Sequence, residues 1–195
     1  MSLKKSFIII LILSILGSVL AACKPPKVYP PNAGFMITIP AFPDSGDIPA
    51  RYTCSGEDIS PAIRFSGSEP ETKSLALILE DLDAPGGLFI HWVIYNIPPA
   101  SSDLPEAIQP AAQVPGIGTQ GKNSFGSDGY GGPCPPPGSP HSYEFRIFAL
   151  DLAPDLPADL TAAQLEAKMK DHILDESERG GFQTINPYLT PPPLP

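Results

Sequence analysis

Basic residues are scarce in this chain. Its 12 Lys and Arg stand against 21 Asp and Glu, a formal net charge of -9, which excludes a nucleic-acid surface built on positive charge. Any bound anion must therefore be held locally. Charge of either sign is limited to 17% of residues while 42% are hydrophobic, so apolar surface suffices for a core and whole-chain disorder is excluded. No serine sits in a Gly-x-Ser-x-Gly elbow, leaving an α/β-hydrolase unsupported. His-Glu-x-x-His and Cys-x-x-Cys are both absent, which removes the sharp zinc patterns. No internal repeat of about 20 to 50 residues is visible. What the chain has in quantity is turn chemistry: 27 Pro and 17 Gly in 195 residues, just below the level at which low complexity becomes the default. That length suits one domain.

The ends read differently from the middle. Lys4 and Lys5, then the apolar run Phe7 to Leu16, then small residues before Cys23 form an export signal over residues 1–22. Leu20-Ala21-Ala22-Cys23 resembles a bacterial lipobox, which implies diacylation of Cys23 and anchoring of the exported chain to a bacterial membrane, on its extracytoplasmic side. Residues 23–34 are Pro-rich and aperiodic, a semi-rigid tether. Residues 187–195 form a Pro-rich tail. The folded domain is expected over residues 35–186.

Within it, short runs rich in apolar, β-branched or aromatic residues predict strands at 36–39, 62–65, 75–80, 89–97 and 143–150. Leu75 to Leu79 is apolar at both parities and predicts a central strand covered on both faces. Asp81 continues the row Leu75, Leu77, Leu79 and should sit at the rim of the core, where a carboxylate needs a partner. Asp83 suits either such a role or an Asx turn. Strict alternation puts His91 on one face with Val93 and Tyr95, and Trp92 on the other. One helix is expected: Thr161 and Gln164 form a capping-box pattern, and Leu165, Met169 and Ile173 recur at spacing four before Gly180-Gly181.

Gly129 to Pro137 combines glycines that expose backbone N–H groups with prolines that stiffen the loop, a composition suited to an anion nest. It feeds into a strand on which His141 and Tyr143 share parity. Asp81, His91 and His141 together could also form a two-histidine, one-carboxylate metal site, the pattern of a metal-dependent hydrolase.

Asp81 to Gly86, His91-Trp92-Val93-Ile94-Tyr95-Asn96-Ile97-Pro98, Gly129 to Pro137 and His141-Ser142-Tyr143-Glu144-Phe145 resemble the signature blocks of the phosphatidylethanolamine-binding protein family. Tyr52 to Pro61 resembles a loop of its bacterial Raf kinase inhibitor-like branch. The resemblance spans about residues 35 to 183, and four ordered motifs are far more specific than any one. It implies a mainly β fold: a central antiparallel sheet flanked by a smaller sheet and a C-terminal helix, with a small anion pocket at one end. It further implies binding of phosphate-containing molecules or head groups without catalysis or cofactor, and inhibition of a kinase or protease partner as some members show. Carried over residue by residue, the pocket comprises Asp81, His91, Gly132, His141 and Tyr143, with Phe89 as an apolar wall. Leu82, Ser142 and Ser124 stand where the family usually has Pro, Arg and Asp, so a positive charge beside the pocket is missing.

These residues lead to a physical expectation: Asp81 orients one imidazole while His91, His141, Tyr143 and the Gly132 N–H donate to a phosphate oxygen. A protein-interaction module that docks a partner's acidic or phosphorylated group is the other class consistent with the motifs. With Cys23 set aside, Cys54 and Cys134 are an even pair in an exported chain, and a disulfide between them is expected.

Overall fold

The computed structural model describes residues 34–183. Strands and helix follow in chain order: β1 (Met36–Thr38), β2 (Gly46–Asp47), a 3-10 turn (Ala50–Tyr52), β3 (Ile63–Ser66), β4 (Ser74–Asp81), β5 (Phe89–Ile97), β6 (Asp103–Leu104), β7 (Gln113–Val114), β8 (Gly118–Gln120), β9 (His141–Leu150), α1 (Ala162–Met169) and β10 (Ile173–Gln183). Cys23, the export segment, the rest of the tether before Gly34 and the Pro-rich tail lie outside the described residues. No described helix is long and apolar enough to cross a membrane.

A strand apolar at both parities must be covered on both faces, and β4 is buried along its whole length. It lies inside a seven-stranded sheet of order β2-β10-β9-β4-β5-β8-β7, antiparallel except for the β2–β10 pair. Leu75, Leu77 and Leu79 join Trp92, Ile94, Phe145 and Ile147 on one face, closed by Ile37, Ile63 and Phe65 of the three-stranded sheet β1-β3-β6. Ala76, Ile78, Val93, Tyr95 and Phe148 form the other face, under Leu165 and Met169 of α1. The fold is mainly β with a large sheet, a smaller sheet and one helix, in the arrangement the sequence predicts.

The capping box forms as expected: the Thr161 hydroxyl accepts from the Gln164 N–H, and the Gln164 side chain accepts from the Thr161 N–H. The helix is shorter than the spacing of Leu165, Met169 and Ile173 suggests. It ends at Met169, the His172 N–H donates back to the Met169 carbonyl, and Ile173 opens β10 instead. The segment Asp175 to Arg179 is wholly polar, yet it pairs in register with Phe145 to Ala149 of β9. Ladder hydrogen bonds to an already buried strand decide its conformation more than local pattern does.

The other departure lies in β5. Trp92 pairs with Leu79 and Ile90 with Glu80, so the ladder skips His91, a β-bulge with one extra residue on β5. Trp92 belongs to the first core face and Val93 to the second. The His91 ring meets Tyr143, also of the first face. His91 and Trp92, consecutive in sequence, therefore point to the same side, and the expected sharing of a face by His91, Val93 and Tyr95 is corrected. Without the extra residue, His91 would face α1.

Candidate functional site

The bulge gathers the site. Asp81 on β4 pairs laterally with Phe89 on β5 and with Tyr143 on β9, forming one rung across three strands. His141 lies two residues before Tyr143 on the same face, and the bulge adds His91. A cleft of about 230 Å³ opens at this end of the sheet, lined by Asp81, Ala84, Pro85, Phe89, His91, Phe125, Cys134, Pro135, Pro136 and His141. That volume is below the range for drug-sized ligands and suits a small group. Grooves of about 350 and 370 Å³ on the small sheet and beside α1 contain no histidine.

Each imidazole is fixed through one nitrogen. Nδ1 of His141 lies 2.8 Å from Oδ2 of Asp81, with both side chains only 6% exposed. Nδ1 of His91 lies 2.7 Å from the Gly131 carbonyl oxygen. A carbonyl and a carboxylate offer only lone pairs, so both Nδ1 atoms carry protons and donate. Nε2 is the remaining polar atom of each ring, and in the neutral ring it is an acceptor. Burial pushes the His91 pKa down, partly opposed by the Gly131 carbonyl and the Asp81 charge.

Tyr143 backs both rings, its centroid 5.3 Å from His91 and 6.5 Å from His141. Its hydroxyl is buried and makes no well-formed hydrogen bond, with the Asp81 carboxylate and the Cys134 backbone as its polar neighbours. Burial first, then the Asp81 charge, hold the phenol well above its ordinary pKa, so it stays protonated. A buried hydroxyl without a well-formed hydrogen bond behind two histidines is the kind of group a ligand or water completes. The same aspartate also builds the hairpin, because Oδ1 of Asp81 accepts the Asp83 N–H at 2.9 Å. Oδ2 of Asp83 accepts the Ser142 N–H at 2.8 Å, which ties that turn to β9.

A model described as phosphatidylethanolamine-binding protein matches residues 38–183. The chain belongs to the phosphatidylethanolamine-binding protein family. The UPF0098 protein of Methanothermobacter thermautotrophicus is 47% identical over 142 residues, covering 73% of this chain and 93% of that protein. Among solved structures, a phosphatidylethanolamine-binding protein homologue from Chlamydia trachomatis is similar with a TM-score of 0.71 and 38% identity, covering 78% of this chain and 98% of the other. Escherichia coli YbcL, described as a new member of the mammalian PEBP family, gives a TM-score of 0.71 at 29% identity, covering 78% of this chain and 99% of the other.

Of the residues carried over from the phosphatidylethanolamine-binding protein motifs, Asp81, Phe89, His91 and His141 line the cleft and Tyr143 stands behind it. Gly132 does not join them. Its N–H donates to Oδ1 of Asp58 at 2.6 Å, so it is not free to donate to an anion. Its lack of a side chain still matters: a Cβ there would lie 2.5 Å from Asp58 Oδ1 and 2.6 Å from the Tyr52 carbonyl oxygen. Cys54 and Cys134 are disulfide-bonded, as expected, and hold the Gly–Pro loop against the Tyr52 to Pro61 loop. Two contributors escape sequence reasoning. Phe125, half exposed, packs edge-on against Phe89 at 4.9 Å and His91 at 5.4 Å. Asp58 anchors the loop from below. A lone aromatic in a Gly-rich segment and an Asp in a turn carry no periodic signal.

Asp81, His91 and His141 do not make a metal cluster. Asp81 is committed to His141 and the other imidazole to a carbonyl, and among the described residues no group of three or more His, Cys, Asp or Glu side chains is placed to hold a metal ion.

Proposed function

We propose that this family member is a binding protein, not an enzyme, whose cleft takes a small phosphate-bearing anion, free or as a head group. One observation carries this: two imidazoles, each fixed through Nδ1, leave Nε2 as the remaining polar atom at a single small cleft backed by a buried tyrosine hydroxyl. No activated nucleophile stands beside them. The Tyr143 phenol is held protonated and Cys134 is in a disulfide.

The domain is proposed to work outside the cytoplasm. Residues 1–22 direct export, Cys23 carries the lipid, and the protein is tethered to a bacterial membrane. The disulfide supports an oxidising compartment. A protein partner, a kinase or protease, would present its phosphorylated or acidic group to the same cleft, whose exposed neighbours Leu82, Leu88 and Phe125 supply apolar contact.

Calorimetric titration of phosphate and phosphoethanolamine into the wild-type protein and His141→Ala tests the anion site. Heat of binding that falls at least about tenfold in affinity in the variant supports the proposal. Affinity unchanged by the substitution, or no binding by the wild type, would sink it.

A further inference from the structure

Phe125 is 52% exposed, yet its loop is tied down. The side-chain oxygen of buried Asn123 accepts the N–H groups of Phe125 and Ser127 at 3.0 and 3.1 Å, and its amide donates to the Gly129 carbonyl. Ser124 exchanges two hydrogen bonds with Ile90 of β5, one through its N–H and one through its hydroxyl oxygen. The Phe125 ring lies against Gly131, where a Cβ would stand 2.7 Å from its Cε2, and meets Phe89 and His91 edge-on. Three rings thus form one fixed ledge along the cleft, and Pro135 and Pro136 line the same cleft. Rings and prolines do nothing to hold an anion. An aromatic-lined groove of this kind suits an uncharged, proline-rich strand.

The chain carries such a segment, and it begins beside the cleft. Gln183, the last residue of β10, pairs laterally with His141. Residues 184–195 follow, twelve residues with five prolines, Tyr188 and no charged side chain. In polyproline form, at ~3.1 Å per residue, they would span about 37 Å. The strand order β10-β9-β4-β5 places β5 three spacings from Gln183, about 14 Å. Five residues cover that distance, which brings the stretch from Tyr188 to Pro193 within reach of the ledge.

We propose that residues 184–195 dock on the ledge of Phe89, His91 and Phe125 and cover the cleft of their own chain. Proline rings pack on exposed aromatic faces, and a polyproline strand needs no internal hydrogen bonds and has little conformational freedom to lose. Attachment through Gln183 sets the effective concentration of the segment on the order of millimolar, which favours its own cleft over that of a second copy. An anion can then enter only the uncovered fraction, so the full chain binds it more weakly than the open cleft would. The docking stands apart from the anion reading of the cleft, and the competition rests on it.

NMR of the full chain reads the docking. Nuclear Overhauser contacts are expected between protons of residues 184–195, those of Tyr188 and the prolines above all, and the Phe89 or Phe125 ring, and inorganic phosphate should weaken them. Replacing Tyr188, Pro191, Pro192 and Pro193 together by Gly should abolish the contacts and tighten phosphate binding in calorimetry by about three- to tenfold. None of the four belongs to a described strand, helix or core cluster, and an unchanged Tm checks that the domain is intact. No contact from any residue beyond Gln183 to either ring would overturn the inference. So would contacts found only between labelled and unlabelled copies in a mixed sample, which would assign the segment to a second molecule. Contacts in the wild type, with phosphate bound equally by wild type and variant, would overturn the cover. Contacts with no phosphate binding by either protein would sink the anion site and leave the docked segment standing.

Discussion

His91 and Val93, two positions apart on one strand, face opposite sides of the sheet. Strict alternation would place them together. The extra residue in β5 opposite the Leu79–Glu80 step turns His91 to the side of Asp81 and Tyr143, while Val93 stays under α1. A bulge that re-aims one side chain beside a cleft is a recurrent device, and here it converts a sheet end with one histidine into one with two.

Replacing His91 by Phe should separate packing from binding. The larger ring can keep contact with Phe89, Phe125 and Tyr143, but the Gly131 carbonyl loses its donor. Urea unfolding should show a loss of about 1–3 kcal/mol, and phosphate affinity should fall at least about tenfold by calorimetry. Unchanged affinity would mean that Nε2 of His91 takes no part.

Gly132→Ala tests whether the glycine serves close approach. Its Cβ would meet the Tyr52 carbonyl and Thr53 Cα, both backbone atoms, at 2.6 and 2.9 Å. Backbone yields less readily than a flexible side chain, so destabilisation of about 1–3 kcal/mol is expected, together with loss of the Asp58 contact. A variant as stable as the wild type would show that the loop shifts freely.

The cystine spans a sequence separation of 80, and closing a loop of that size is worth on the order of 4 kcal/mol in the chain-entropy model. Thermal unfolding of Cys54→Ser/Cys134→Ser should show a marked drop in Tm. Because Cys134 lines the cleft and the Cys54 N–H donates to the Pro133 carbonyl, anion affinity should weaken as well. A large Tm loss with binding intact would assign the disulfide to stability alone.

On the far face, Glu80 is 3% exposed and its carboxylate meets Arg146 at 3.0 Å. Burial holds the Glu80 pKa above its ordinary value, with Arg146 opposing. Arg146→Met leaves that charge unpaired, at a cost of about 3 kcal/mol, the low end for a buried pair because the guanidinium is partly exposed. The sign follows from linkage: the folded state binds the Glu80 proton more tightly than the unfolded state, so stability falls as pH rises from the unfolded value through the raised folded one. The variant's deficit should therefore be larger near pH ~8 than near pH ~4. An equal deficit at both would show that Glu80 is not the group responsible.

How far the sequence carries depends on which force decides each element. Burial on both faces is written in the run Leu75 to Leu79, and the central strand is legible from it, whereas the two-sheet architecture follows only from the resemblance of the motifs to the family. The capping box at Thr161 was equally plain, because it is local. Ile173 illustrates the limit: it fits a helical spacing, but pairing with β9, distant in sequence, makes it the start of β10. In the site, Asp81, His141 and Tyr143 follow from parity and motif. The side chosen by His91 does not, since a bulge is a property of the ladder between two strands and leaves no mark in one of them. The motif marks Gly132 but not its role, because the acceptor of its N–H, Asp58, lies 74 residues away.

The most direct measurement is NMR of the imidazole nitrogens, with inorganic phosphate titrated into the protein near neutral pH. The account predicts that His91 and His141 both carry the proton on Nδ1 in the free protein, and that phosphate shifts both Nε2 resonances with a common saturation. Nε2 resonances that stay fixed as phosphate is raised to millimolar levels, or protons found on Nε2 with Nδ1 bare, would contradict it.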